Sequence, residues 1–288
     1  MVKDIDQLLR GAIDMHLHHG PDTRPRRVDA LEAAKQAQQA GMRAIVLKSH
    51  NYPTVPLAIL ISQLVPGIKI FGSICLDYEI GGLNLLALET SAKMGARVVW
   101  MPTTSALNSR CKMNKLGLQL RGEGFSILDS QGRMVPEITD ILAVVKQYDM
   151  VLASGHLSPP ETLSLVEEAN KQGIIKIIIT HPLDVEFMEQ VPDLKELHTL
   201  TQMGALAEFS FVGLLPTEFS HSPAQTVEMI KALGPEHCIL STDLGQYSNP
   251  PPVEGMRMFI ATLLKQGFAE KEIEIMVKVN PARLLDLD

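Results

Sequence analysis

Short apolar runs alternate with longer segments of helical periodicity along almost the whole chain, and the repeat recurs about eight times from Arg10 onward. The apolar runs at 12–18, 44–47, 68–76, 97–101, 150–153, 174–179, 205–209 and 239–243 predict strands. Ala44-Ile45-Val46-Leu47 is continuous rather than alternating, the pattern of a strand covered on both faces in a parallel sheet. Segments 28–40, 54–65, 85–94, 137–147, 161–172, 194–202 and 226–233 are amphipathic and predict the intervening helices, with 255–266 and 271–285 closing the chain. The longest irregular piece is 102–136. Inside it, 125–128 and 133–135 flank Asp129-Ser130-Gln131-Gly132 and predict a β-hairpin with a Gly-containing turn. A loop of this length predicts a lid or a binding loop.

Eight strand–helix units in 288 residues predict an α/β fold, a (β/α)₈ TIM barrel, as one domain over 1–288 with the hairpin inserted after strand four and an extra C-terminal helix. A doubly wound open sheet is the alternative. The barrel is preferred because polar residues stand just after the strands all round the cycle. A barrel gathers those ends at one face, whereas an open sheet spreads them along a line. With 45% hydrophobic residues and no Gly/Ser- or Pro-rich linker, the chain can bury one large core.

The formal charge of −7 and the lack of a Lys/Arg-rich run argue against a nucleic-acid partner. No apolar run long enough for a membrane span is present, and Met1-Val2-Lys3-Asp4-Ile5-Asp6 does not read as a signal peptide. Cys75, Cys111 and Cys238 have no CxxC spacing and predict reduced thiols in a cytoplasmic protein. The expected partner is a small molecule, and a homo-oligomer is compatible with the sequence. Arg24, Arg26 and Arg27 form the densest basic cluster, suited to a small anionic ligand or to a solvated loop. Arg110, Lys112, Lys115 and Arg121 make the 102–136 loop basic and weakly favour a carboxylate- or phosphate-bearing substrate, although exposed charge on a loop is equally ordinary.

The chemistry sits at the strand ends. His16 and His18 are two apart on the first strand, so their imidazoles share one face, and Gly20-Pro21 stops the strand behind them. Lys48 and His50 follow strand two, His156 strand five, His181 strand six and Asp243 strand eight. Neutral imidazoles with a carboxylate suit Zn²⁺, Mn²⁺ or Fe²⁺. Taken singly, each histidine is more simply a satisfied polar residue, and Asp243 an N-cap. Their joint placement is harder to explain that way. His198, His221 and His237 lie away from the strand ends.

With the closing Val279-Asn280-Pro281-Ala282-Arg283-Leu284-Leu285, this order of residues resembles the amidohydrolase superfamily of metal-dependent hydrolases. The resemblance implies one or two divalent ions, zinc first and Mn or Fe as alternatives, held by His16, His18, His156, His181 and Asp243. It implies hydrolysis of an amide, cyclic amide, lactone or ester, with Asp243 as general acid/base. One departure stands out. Binuclear members place a carboxylated lysine or a glutamate after strand four, where this chain has Met101-Pro102-Thr103-Thr104. Lys48 is the candidate replacement as a carboxylated bridge; otherwise it binds a substrate anion or pairs with Glu79 or Glu208. His50, His19, Arg24 and Glu79 are candidate substrate contacts. The competing readings are a decarboxylase or hydratase of the same superfamily, a Schiff-base enzyme using Lys48, and a barrel that binds metal or ligand without turnover.

Overall fold

The structure, a computed structural model, describes residues 5–118, 122–217 and 220–287. Eight parallel staves run around it: β1 (Ile13–His18), β2 (Ala44–Lys48), β3 (Lys69–Phe71 and Ser73–Cys75, interrupted at Gly72), β4 (Val98–Trp100), β5 (Val151–Ala153), β6 (Ile177–Ile179), β7 (Leu206–Ser210) and β8 (Cys238–Ser241). Each pairs in parallel with the next. The ring closes where the chain leaving β8 meets β1, through Asp243 N–H to His16 O (2.8 Å) and His18 N–H to Leu244 O (2.7 Å). The chain is the (β/α)₈ barrel that the patterning predicts.

Period-two alternation divides the core into two layers. Ala44, Val46, Cys75, Val98, Trp100, Val151, Ala153, Ile178 and Ile239 fill the barrel interior. The residues between them, such as Ile45, Leu47, Ile74, Val99 and Leu152, pack outward against the helices. In β1 the ladder shifts register between Asp14 and Leu17. Ile13 and Met15 face the interior below the shift, while His16 and His18 reach the mouth above it. Irregularities of this kind commonly re-aim side chains beside a site.

The 102–136 segment and the closing helix differ from expectation. The 102–136 segment is not a bare loop: Leu107–Lys115 forms a helix, and the expected hairpin reduces to a single antiparallel bridge between Leu128 and Met134. Its basic residues do not make a uniformly exposed patch. Arg110 is buried with its guanidinium carbon 5.4 Å from the Tyr78 ring centre, Lys115 pairs with Glu189, and Arg121 lies outside the described residues. The closing helix breaks into Glu270–Glu274, a π-helical stretch Ile275–Val279 and Asn280–Leu284. Asn280 explains why that end is so constrained. Its buried amide reaches the carbonyls of Cys238 (2.8 Å), Pro235 and Glu236 (both 3.1 Å), while Ala282, Leu284 and Leu285 plug the barrel interior. The segment carrying the superfamily resemblance thus seals the barrel's closed end. No helix among the described residues is long and apolar enough to cross a membrane.

Candidate metal centre

At the open end, Asp243 Oδ1 lies 3.0 Å from both His16 Nε2 and His18 Nε2. Its other oxygen, Oδ2, is 3.8 Å from His181 Nε2. Ligands about 2.0–2.1 Å from a tetrahedral ion stand roughly 3.3 Å apart, so the His16–His18–Asp243 spacing suits one divalent ion. Two residues here take a left-handed backbone without being glycine, His181 (φ 24°) and Asp243 (φ 50°). Such conformations cost on the order of 1–3 kcal/mol each and persist where the surroundings fix them.

Two glycines let the loops close around the site. A Cβ on Gly245 would lie 2.1 Å from the His18 carbonyl oxygen, and one on Gly155 would lie 2.3 Å from that of Met101. Each also has positive φ, so neither position accepts a larger residue.

The ring nitrogens facing away from the cavity fix the tautomers. His16 Nδ1 bonds Glu208 Oε1 at 3.1 Å. A carboxylate can only accept, so Nδ1 donates to Glu208, and Nε2, 3.0 Å from the Asp243 carboxylate, donates there. His156 Nδ1 lies 2.7 Å from Ser109 Oγ, whose own proton goes to the Phe187 carbonyl, also at 2.7 Å. The hydroxyl therefore accepts from His156 Nδ1, which leaves Nε2 unprotonated with its lone pair free. Partners of this kind orient metal-ligating histidines. His156 packs edge-on to His181, with ring centres 4.9 Å apart.

Burial lowers the pKa of His18 and His156 well below the ordinary value and that of His181 to about 4, so these rings are neutral donors near pH 7. His16 goes the other way. Burial and Lys48 oppose its charge, but Asp243 and Glu208 outweigh them and hold it at about 9. Asp243 is ionised: burial opposes this, yet His16 and His18 hold it well below the carboxylate range. Three buried atoms on this arc, His18 Nδ1, His181 Nδ1 and Asp184 Oδ2, have no hydrogen-bond partner among the described residues.

Lys48 is buried, with Nζ 2.9 Å from His16 Nε2 and 5.2 Å from the Trp100 ring centre. It pairs with neither Glu79 nor Glu208; Glu208 belongs to His16. β4 presents Val98 and Trp100 to the interior, neither of them a metal-ligating side chain. His50 is built into a separate corner. Its Nδ1 bonds Asp77 Oδ2 (3.0 Å) and lies 2.8 Å from Thr103 Oγ1, and its ring stacks on His18 at 4.9 Å.

The cavity above the site, about 170 Å³, is lined by His18, Lys48, His50, His156, His181 and Asp243, with Arg24 and Glu79 on its exposed rim. His19 is not there. It is fully buried, with Nδ1 bonded to Gly20 O at 3.0 Å, and the structure does not bring it to the cavity. No described basic residue of the 102–136 segment lines the cavity either. Among the Arg24 cluster, Arg26 is tied to Asp22 (2.7 Å), whereas Arg24 has no ion-pair partner among the described residues. Sequence reasoning passed over Asp77, Ser109 and Asp184. Asp77 stands two residues past a strand end and was open to the same argument as His50; Ser109 and Asp184 carry no spacing signal.

Solved structures with this fold include an amidohydrolase from Pseudomonas aeruginosa (TM-score 0.68, 11% identity, 98% of each chain covered). An organophosphorus hydrolase from Deinococcus radiodurans is similar at TM-score 0.60 and 15% identity, over 98% of this chain and 93% of that one. So is a phosphotriesterase homology protein from Escherichia coli, solved with phosphate in its active site (TM-score 0.61, 14% identity, 95% of this chain and 98% of that one). No curated protein matches the chain. Residues 11–208, which carry His16, His18, Lys48, His156 and His181, match the model of a family of unknown function, DUF6282, and the chain belongs to that family.

Proposed function

We propose that the protein is a metal-dependent hydrolase acting on a small molecule with an amide, cyclic amide, lactone or ester bond. The observation that carries this reading is the convergence of His16 Nε2 and His18 Nε2, each 3.0 Å from one oxygen of an ionised, buried Asp243. Nitrogen-rich donors favour zinc, with Mn²⁺ or Fe²⁺ as alternatives. His156 and His181 extend the donor set across the mouth. His16, His18 and Asp243 would hold a divalent ion, which would supply a water of lowered pKa and polarise a carbonyl or phosphoryl oxygen. With an ion in place, the Asp243 carboxylate would accept the proton of the attacking water and return it to the leaving group. Glu208 and Ser109, accepting from His16 Nδ1 and His156 Nδ1, orient both rings with Nε2 toward the mouth. Lys48, beside His16 and facing the cavity, either bridges as a carboxylated side chain or meets a substrate anion; an intact-mass increase of about one CO₂ on the native protein distinguishes them. Unpaired Arg24 on the rim supports an anionic substrate, as does the phosphate found in the Escherichia coli structure.

Chelation followed by assay against amide, cyclic amide, lactone, ester and phosphoester panels tests the reading. Activity lost on chelation and restored by Zn²⁺ or Mn²⁺ supports it. Turnover that survives full metal removal, or an unimpaired Asp243→Asn variant, contradicts it.

A further inference from the structure

The closed end of the barrel carries a cavity of its own, about 580 Å³ against about 170 Å³ at the mouth. It lies between the N-terminal ends of β2 and β3 and the turn that follows the closing helix. Ile68, Ile70, Phe71 and Leu287 wall it, and Arg43 and Lys69 stand beside them. The two cations are neighbours in the sheet, where the Lys69 N–H donates to the Arg43 carbonyl at 3.0 Å. Neither side chain has a hydrogen-bond or ion-pair partner among the described residues. This is unexpected in a chain with 33 Asp and Glu against 26 Lys and Arg.

Other cations at this end are committed. Lys176, 9% exposed, donates to Asp149 (2.5 Å) and Asp286 (2.6 Å). Arg97 lies 3.6 Å from Asp286 and reaches the Leu285 carbonyl at 3.3 Å. These contacts pin the last turn, where Asp286 takes a left-handed backbone (φ 53°) and the Leu287 N–H returns to the Ala282 carbonyl at 2.9 Å. The Leu287 wall is thus fixed before any ligand arrives, which lowers the ordering cost of binding. Apolar walls with a few polar groups at one edge are the usual form of a small-molecule site. Two unpaired cations side by side repel each other. An oxyanion between them replaces that repulsion with charge-assisted hydrogen bonds, and the planar fork of Arg43 suits a carboxylate or a phosphate.

We propose that this cavity binds an amphiphilic anion, with a carboxylate or phosphate head between Arg43 and Lys69 and a short apolar body against Ile70, Phe71 and Leu287. The site lies at the opposite end of the barrel from the metal donors, so it does not depend on the hydrolase reading.

The test is isothermal titration calorimetry of the full-length protein with hexanoate, hexyl phosphate, hexanol and inorganic phosphate. At least one hexyl anion should bind with a Kd of about 1 mM or tighter. Hexanol and inorganic phosphate each offer half of the ligand and should bind at least about tenfold more weakly. Whichever hexyl anion binds more tightly names the head the site takes. Arg43→Gln/Lys69→Gln should weaken that binding at least about tenfold. Both side chains are exposed, so the variant should keep the wild-type melting temperature. A crystal structure of the wild type with the tighter anion removes dependence on the variant and should show the head between Arg43 and Lys69. The proposal is overturned by unchanged affinity in Arg43→Gln/Lys69→Gln, by hexanol binding as tightly as the anions, or by a ligand seated at the mouth instead. Absence of binding by either anion at about 10 mM overturns it as well.

Discussion

Two corners of the barrel mouth each bring three potential metal donors within 4.8 Å: His16, His18 and Asp243 on one side, His50, Cys75 and Asp77 on the other. They differ in how their polar atoms are spent. In the second corner Asp77 Oδ1 accepts the N–H groups of Thr103 and Ser105, both at 2.9 Å, and Oδ2 accepts from His50, the Thr103 hydroxyl and the Cys75 thiol. Burial and the Asp77 charge also push the Cys75 thiol well up, away from the thiolate a metal needs. That corner is complete without an ion and works as a scaffold holding His50 against His18. Around the first corner, His16 Nε2 and His18 Nε2 share a single Asp243 oxygen, and buried atoms beside them, His18 Nδ1 and His181 Nδ1, are left over. Proximity of donors is therefore a weaker sign of a metal than donors whose hydrogen bonding is unfinished.

The largest effect that would break this contrast is at Asp243. Asp243→Ala should reduce metal-dependent turnover by at least about 10³-fold and abolish metal binding at the first corner, as titration would show. Next comes Asp77→Asn, which should leave metal stoichiometry intact yet destabilise the fold by about 3–5 kcal/mol in urea unfolding, because it unbalances a buried network. Its pH dependence has a definite sign. Burial raises the Asp77 pKa, but His50, Thr103 and Cys75 lower it further, and the net value falls below the usual range. A carboxyl depressed in the folded state adds stability that is complete above about pH 4 and drains away as pH falls further. The variant's stability should therefore fall less steeply than the wild type's below about pH 4. Ser109→Ala sharpens the comparison from the metal side. Losing the hydroxyl that fixes His156 should weaken metal binding about 10–100-fold with little change in folding, if His156 ligates. The smallest effect is at the rim: Arg24→Ala should raise KM for anionic substrates about tenfold or less and leave neutral ones unchanged, because exposed charges are screened.

The barrel was legible because its code is repetitive: period two in the strands, helical periodicity between them. The four strand-end histidines and Asp243 were legible because strand ends converge at one face. His19 misled because one position of β1 separates a cavity-facing ring from a buried one. The helix at Leu107–Lys115 was hidden by its weak apolar pattern, Leu-Asn-Ser-Arg-Cys-Lys-Met-Asn-Lys. Glu208 stood in view at its strand end, but which of Lys48 and His16 it meets depends on depth in the barrel. Ser109 meets His156 across 47 residues, a contact that only the folded loops create.

X-ray absorption on the zinc-loaded protein tests the central claim most directly, since the two corners offer different atoms. The account predicts nitrogen and oxygen neighbours at about 2.0–2.1 Å with the outer-shell scattering of at least two imidazoles. A sulfur neighbour near about 2.3 Å would place the ion at Cys75 instead, and a shell without imidazole would contradict the His16–His18–Asp243 seat.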